Sequence, residues 1–446
     1  MVVAKVVALI LFFLVETEAF VVQSGSKIDG SNRFSKKEAL VESDSDEVWQ
    51  ELTPAGPFNK KTRKTLMREL IKDEIWALDQ AQGFIFVHVP VRAVIIKERR
   101  GGLVMYGAVA PTQEAMTKVF ELEEEYGPVS DIILPSTATE HKLFAIAMAR
   151  KLKNATLWAA RSQFSFPLNL PTDFIFPSAR TRFLVDGATP NWAGDLQFVR
   201  LGPFFSKRGE PASFEEIVCY HAKTKTLLVC DTVCSVTRQV PAIVRLNDPR
   251  ALDFHGRKNA SERTDRRDGW RKIALFSLYF QTNSALKVSF DPNQIFGLFD
   301  FIKNGFPKPN IGSDLGWGNF FAWSWPDQKA VDEAFDALSC DGALLVPPIL
   351  QVAILNRHRE DVTDFVDAVS KKDFDKVIPL HFDAPVKANS NDFRAAFQTA
   401  GLVSKKRRIQ LLNTKRKNPL PPRDLEFLKT LETSLVKSGA IAPLKK

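Results

Sequence analysis

Apolar runs separated by short polar turns fill the first half of the chain beyond residue 60. The runs have the length and the β-branched content of strands, and Gly127 ends a helical pattern that Thr112 can cap. In order, the pattern predicts a helix at 61–80, strands at 84–89, 93–97 and 102–106, a helix at 112–126, a strand at 129–134, a helix at 142–153 and a strand at 155–160. Alternating strands and helices are typical of an α/β protein.

The second half gives similar signals after an aromatic, proline-containing loop at 164–177. The further predicted elements are strands at 195–203, 216–220 and 227–230, helices at 270–280 and 327–338, a strand at 343–347, a helix at 361–369, a strand at 377–381 and an amphipathic helix at 422–437. A second aromatic loop at 317–325 precedes the 327–338 helix. This order predicts one folded domain over 61–390, followed by a basic tail at 391–446 that carries the last helix.

Chemically active side chains follow three of the predicted strands. Glu140 and His141 come after the strand at 129–134, Asp231 follows the strand at 227–230, and His381 ends the last short strand. In α/β sheets, functional side chains collect where strands end and loops begin. Two imidazoles and two carboxylates would together suit zinc or iron. Each also has a structural interpretation, because an acid stabilises a helix start and Asp can cap a turn.

The overall composition adds little to the predicted α/β fold and candidate metal site. The chain has 446 residues, 45% hydrophobic and 25% charged, which is ordinary for a globular protein. The formal net charge of +9 gives a general attraction to anionic surfaces. We interpret the basic runs at 405–408 and 415–417 as solvated surface, with peripheral contact to anionic lipid as the alternative. No RNA-binding motif accompanies them, so nucleic acid is not an expected partner, and the substrate or protein partner stays unknown.

The four cysteines form no CxxC pair, and they lack the companions of a zinc knuckle. They are Cys219, Cys230, Cys234 and Cys340. Two of them lie within apolar strand patterns. The sequence therefore predicts free thiols rather than disulfides.

The amino terminus carries targeting signals. Residues 6–15 form an apolar run that is too short to span a bilayer but suits the core of a signal peptide. Cleavage after Ala19 would leave Phe20 first, which resembles the bipartite presequence of algae with complex plastids. This resemblance implies a signal peptide at 1–19, a transit peptide or disordered linker at 20–60, and a plastid (chloroplast) location. The acidic stretch at 42–47 does not suit a transit peptide, and secretion is the alternative. No transmembrane segment is expected after signal cleavage.

The order of elements and the three strand-end positions resemble the metallo-β-lactamase-like superfamily over roughly 83–385. In that family the motif His-X-His-X-Asp-His follows a strand. Here Glu140 and His141 stand at its last two positions, and Ser136 and Ala138 replace its first two histidines. The resemblance implies an α/β fold, an αββα sandwich of two mixed sheets flanked by helices.

The resemblance also implies that one of two metal positions is lost. A further family histidine belongs in a turn before the hairpin, but the nearest segment, 201–203, has none. The family's bridging acid matches Asp231, and its last histidine matches His381. One position has therefore lost all three histidines. The other keeps a metal-ligand set of Glu140 (in place of Asp), His141, Asp231 and His381.

Longer phrases resemble an uncharacterised branch of this superfamily, a domain of unknown function of plants, algae and cyanobacteria. The phrases are Gly102–Thr112, Glu140–Lys142, Phe166–Pro171, Leu227–Val233, Asn259–Ser261 with Gly269–Trp270, and His381–Pro385. Because that branch has no assigned activity, the resemblance implies a fold rather than a reaction.

The sequence thus predicts a plastid-targeted protein with a degenerate metal site, and it leaves open whether that site holds one zinc or iron ion or none. Enzymatic activity is left open, and no catalytic residue is assigned. If the protein is active, the expected class is a mononuclear metal-dependent hydrolase. The alternative is a non-catalytic binding or assembly protein that reuses the fold, with the aromatic loops at 164–177 and 317–325 as its contact surface.

Overall fold

The computed structural model describes most of the chain beyond residue 60. The described residues are 48–49, 52–53, 56–57, 61–84, 87–163, 176–205, 212–247, 249–256, 264–282, 284–289, 322–325, 327–403, 414–439 and 441–444. Several predicted features lie outside these residues. They are the signal peptide at 1–19, nearly all of the transit peptide or linker, the aromatic residues 164–175 and 317–321, the sequon at 259–261 and the basic run at 405–408.

The first sheet has seven strands, with β1–β4 antiparallel and β4–β7 parallel, in simple chain order across the sheet. The strands are β1 (Leu66–Ile71), β2 (Ile75–Phe84), β3 (Val87–Lys97), β4 (Leu103–Tyr106), β5 (Val129–Leu134), β6 (Thr156–Ala160) and β7 (Thr181–Leu184).

The predicted helix at 61–80 is wrong, because β1 and most of β2 occupy it. Its leucines, lysines and glutamates favour a helix locally. Strand β2 instead pairs with β3 along its whole length, and Ile75 and Leu78 are fully buried in the sheet. Pairing with the neighbouring strands of the sheet thus overrides local propensity here.

The second sheet has five strands in the order β8-β9-β10-β13-β14, of which only β10 and β13 are parallel neighbours. The strands after β7 are β8 (Leu196–Phe205), β9 (Ala212–His221), β10 (Thr226–Val229), β11 (Lys287–Ser289), β12 (Ala322–Ser324), β13 (Lys376–Pro379) and β14 (Val386–Lys387). Strands β11 and β12 pair with each other. The predicted strand at 343–347 makes only one bridge, from Leu345 to Cys234.

Ten α-helices are described. They are α1 (Gln113–Tyr126), α2 (Thr139–Lys151), α3 (Ala242–Asn247), α4 (Arg250–His255), α5 (Arg266–Tyr279), α6 (Gln328–Ser339), α7 (Pro348–Ala353), α8 (Arg359–Val369), α9 (Ser390–Thr399) and α10 (Glu426–Lys437). Thr112 caps α1 through its side chain and Gly127 ends it, as the sequence predicts. None of the described helices is both long and apolar enough to cross a membrane.

The layers follow from which side chains are buried together. One cluster lies between the two sheets and joins residues such as Val94 and Val104 of the first to Leu228 and Ile378 of the second. A second cluster packs α1 and α2 against the outer face of the first sheet. A third packs α8 and α9 against the outer face of the second. The fold is therefore the expected αββα sandwich of two mixed sheets flanked by helices.

Two further features concern the ends of the domain and the thiols. The buried aromatics Phe393 and Phe397 of α9 belong to the outer cluster of the second sheet, so the packed body continues past residue 390. All four cysteines are free, as predicted, and three of them are buried.

Candidate metal centre

The loop between β5 and α2 presents Glu140 and His141 at the start of a helix. This loop is held by the second sheet, because the Thr137 N–H donates to the Glu215 carbonyl (3.1 Å) and the Ile217 N–H donates to the Pro135 carbonyl (2.7 Å). His141 is fully buried, whereas Glu140 is half-buried in the first turn of α2. The helix dipole favours a negative charge at that position.

Asp231 lies just beyond β10, in a turn that a buried acid holds. The backbone N–H groups of residues 230, 231 and 232 all donate to the Glu216 carboxylate, at 2.8–2.9 Å. Sequence reasoning missed Glu216. The available signal was a pair of adjacent acids, Glu215 and Glu216, inside the otherwise apolar strand β9, and both are fully buried.

His381 follows β13, and the first sheet holds its loop. Its Nδ1 contacts the Pro90 carbonyl oxygen at 3.1 Å, which leaves Nε2 facing the cluster. On either side of it, the buried Arg92 guanidinium donates to the carbonyls of Pro379 and Phe382. Asp79 balances this buried charge through an ion pair with Arg92 at 2.6 Å. The histidine therefore has little freedom to turn.

The four predicted ligands converge on one point. Glu140, His141, Asp231 and His381 each offer a ligand atom, and these atoms all lie within 4.8 Å of one another. The two imidazole Nε2 atoms are 3.0 Å apart. The Asp231 Oδ1 atom lies 3.4 Å from Nε2 of His141 and 3.3 Å from Nε2 of His381.

These three short distances fit a metal ion. Zinc bonds to nitrogen or oxygen are about 2.0–2.1 Å, so two ligands of a tetrahedral ion lie roughly 3.3 Å apart. Two nitrogens and one oxygen at 3.0–3.4 Å from one another form a triangle of that size. The half-buried Glu140 is the fourth member of the set. The donor set suits zinc or iron, since it combines imidazole with carboxylate.

The charges at the site are strongly coupled. Burial alone would raise the pKa of Asp231, but attraction to His141 and hydrogen bonds with both imidazoles hold it well below its usual range. Burial alone would lower the pKa of His381, but Asp231 and Glu140 raise it. Burial and the nearby charge of Asp231 raise the pKa of Glu216, and its four hydrogen-bond donors oppose this shift by stabilising the carboxylate.

The opposite oxygen of Asp231 has a different partner. The Ser136 hydroxyl donates to Asp231 Oδ2 at 2.8 Å, and Ser136 is fully buried. The same hydroxyl accepts a hydrogen bond from the Ala138 N–H at 3.1 Å. Ser136 and Ala138 stand at the positions of the first two histidines in the motif that this segment resembles. The segment 201–203, which has no histidine, lies on β8 beside β9.

One buried nitrogen at the site differs from the others in its hydrogen bonding. His141 Nδ1 is buried and has no hydrogen-bond partner among the described residues. Metal-bound histidines usually donate from their second nitrogen. His381 has such a contact, and His141 does not have one within the described part of the chain.

Comparison with known proteins gives a family and a set of distant structures. The profile of a family described as Domain of unknown function (DUF4336) matches residues 72–399. No curated protein matches the chain at a significant level. A flavoprotein from Thermotoga maritima is similar with 11% identity and a TM-score of 0.37, over 75% of this chain and 61% of its own. The chain therefore spans less than two thirds of that protein.

Two metallo-β-lactamases are also similar. The enzyme from Pontibacter korlensis has 13% identity and a TM-score of 0.28, over 49% of this chain and 86% of its own. The FIM-1 enzyme from Pseudomonas aeruginosa, in its mono-zinc form, has 10% identity and a TM-score of 0.30, over 48% of this chain and 82% of its own. At these scores, the likeness supports no inference about activity.

Proposed function

The chain belongs to this family of unknown function, and we propose that it is a mononuclear metal-dependent hydrolase. Its one ion, zinc or iron, is held by Glu140, His141, Asp231 and His381. The observation that carries the proposal is the triangle of ligand atoms described above, with separations of 3.0–3.4 Å.

The chain's own residues set up the site in three ways. The contact with Pro90 orients His381, and the surrounding helix and sheet bury His141. The two carboxylates balance the charge of a divalent cation. Asp231 and His381 keep 16% and 15% of their side-chain surfaces exposed, so the site stays within reach of a small substrate. A bound ion would supply Lewis acidity toward a carbonyl or phosphoryl oxygen.

Ser136 explains why the proposal is for one ion and not two. A carboxylate that bridges two ions with one oxygen on each needs both of its oxygens as ligands. Here Asp231 Oδ2 is already engaged by the Ser136 hydroxyl. A neutral hydroxyl satisfies the carboxylate without adding a cation, so the second position needs no ion.

The same hydrogen bond supports a second candidate function. Water activation between two metals is not available when one position is closed. A non-catalytic binding or assembly protein with one structural ion would keep the same cluster. Catalytic turnover of a substrate distinguishes the hydrolase from the binding protein. Metal content tests the bound ion that both candidates require.

The decisive experiment is elemental analysis of the purified protein, followed by chelation. We expect about one zinc or iron per chain. Removal of the ion should lower the unfolding temperature, and its return should restore it, since a ligand at 1,000 times its Kd adds about 4 kcal/mol. Absence of a stoichiometric transition metal, with no thermal shift on metal addition, would contradict metal binding. A bound ion without turnover of lactone, thioester or phosphodiester substrates would favour the binding protein.

We further propose a plastid location, supported by the apolar run at 6–15 and by Phe20 after the small residue Ala19. A fluorescent reporter fused to residues 1–50 should enter plastids. The matched control replaces Phe20 with Ala, which should retain the reporter before the plastid. Release of the first reporter into the medium would instead indicate secretion.

A further inference from the structure

We propose that Glu216 is a positioning residue that fixes Asp231 toward the metal position. The inference rests on the proposed function, since it concerns one of the four ligands. Glu216 does not enter the ligand cluster itself. It acts on the backbone turn that carries Asp231 and determines where the carboxylate of Asp231 points.

Each carboxylate oxygen of Glu216 accepts two hydrogen bonds. Its Oε1 accepts from the Cys230 N–H (2.9 Å) and from the Thr232 hydroxyl (2.8 Å). Its Oε2 accepts from the N–H groups of Asp231 (2.9 Å) and Thr232 (2.8 Å). Four donors therefore meet one fully buried carboxylate. Three consecutive N–H groups that point at the same anion leave the turn only one arrangement.

A carboxylate is needed at this position because every backbone neighbour is a donor. A glutamine at 216 offers one acceptor oxygen and one donor NH2 group. If the NH2 group faces the side of Cys230, that N–H loses its acceptor. If it faces the other side, the N–H groups of Asp231 and Thr232 lose theirs. Either orientation leaves a buried donor unpaired and loosens the turn.

The chain supplies a matched control one residue away. Glu215 lies on the same strand and is equally buried, but its side chain serves another part of the structure. It pairs with Arg200 (3.0 Å) and accepts from the Ser162 N–H (2.9 Å). Glu215→Gln disturbs a buried carboxylate and a backbone N–H as Glu216→Gln does, without touching the turn of Asp231.

The test titrates metal-free, full-length protein with Co²⁺ and follows the visible absorption of the bound ion, with unfolding temperature measured separately. We expect Glu216→Gln to weaken Co²⁺ binding about 10–100-fold, as outer-shell partners of ligands commonly do, and to alter the absorption spectrum. Glu215→Gln should bind Co²⁺ like the wild type, even if its unfolding temperature falls. Equal affinities for Glu216→Gln and wild type, or equal losses in both variants, would overturn the proposal.

A milder variant covers the case in which Glu216→Gln does not fold. Thr232→Val removes one of the four donors and keeps the carboxylate. We expect a loss of about threefold in Co²⁺ affinity, with Thr226→Val at the start of β10 as the unchanged control. A folded Thr232→Val protein with wild-type affinity would count against the role of Glu216. If the wild type binds no Co²⁺, the proposed function itself fails, which distinguishes the two results.

Discussion

The two oxygens of Asp231 face two different environments within one small site. On the Oδ1 side lie two imidazole nitrogens, at 3.4 and 3.3 Å, with Glu140 nearby. On the Oδ2 side lies the Ser136 hydroxyl, at 2.8 Å and fully buried. The first side has the number and type of ligands that hold a transition metal. The second has a single neutral donor and completes an internal hydrogen-bond network.

The difference shows how the Oδ2 side of Asp231 is satisfied without a metal ion. An unpaired carboxylate oxygen in a buried site costs free energy unless a donor reaches it. A serine hydroxyl supplies that donor in the space of a much larger imidazole. Because Ser136 also accepts from the Ala138 N–H, the loop before α2 keeps its shape. The Oδ1 side can therefore retain its geometry after the Oδ2 side has changed.

The largest expected effect comes from removing an imidazole on the Oδ1 side. Changes around metal ligands already cost 10–100-fold in affinity, so we expect His381→Ala to weaken zinc binding by more than about 100-fold. A competition titration with a chromophoric chelator measures this. His358→Ala serves as the control, because that half-buried ring stacks on Phe204 outside the cluster. Unchanged zinc affinity in His381→Ala would show that the Oδ1 side of Asp231 binds no ion, as the Oδ2 side does not.

A smaller effect is expected at Glu140, the half-buried member of the set. Glu140→Gln keeps an oxygen ligand but removes one negative charge. We expect zinc affinity to fall on the order of tenfold in the same titration. Glu124→Gln, on the exposed surface of α1, is the charge-matched control and should have no effect. A loss as large as that of His381→Ala would mean that Glu140 contributes as much to zinc binding as His381 does.

The smallest effect on metal binding is expected on the Oδ2 side. Ser136→Ala should change zinc affinity by less than about threefold and leave the stoichiometry at one. It should lower the free energy of unfolding by about 1–3 kcal/mol, because Asp231 loses a donor and the Ala138 N–H loses an acceptor. Urea denaturation of the metal-free protein measures this. Ser130→Ala removes a hydroxyl from another carboxylate, that of Asp131 outside the cluster, so it should lower stability and leave zinc affinity unchanged. A second ion in Ser136→Ala would show that the hydroxyl alone keeps that position closed.

Much of the fold follows from local sequence pattern. The Thr112 cap and the Gly127 stop of α1 are both as predicted, and the strands predicted at 216–220 and 227–230 form an antiparallel pair. The predictions failed where contacts with other segments decide the outcome. Residues 61–80 have helical composition but form strands, and residues 343–347 have a strand pattern but pair through a single bridge. In both cases partners outside the segment determine the structure.

For the candidate site, too, some residues can be identified from the sequence and others only from the structure. The strand-end pattern and the family motif select Glu140, His141, Asp231 and His381 from sequence alone. Sequence could not identify Glu216, because two adjacent acids in an apolar strand give no sign of what each one contacts. Nor could it give Ser136 a role beyond that of a missing histidine. Their contacts, with the turn at 230–232 and with Asp231, join residues 14–95 positions apart in the chain.

The sequence by itself determined three features of this protein: an α/β pattern, four side chains of metal-ligand type at strand ends, and Ser136 and Ala138 where the motif it resembles has histidines. Only the tertiary structure decided that the four ligand atoms lie within 4.8 Å of one another. It also decided that Ser136 satisfies one oxygen of Asp231 while the imidazoles face the other. The physical reason is that strand ends gather their side chains only after two separate sheets have packed face to face, and hydrogen-bond partners are selected in that final packing.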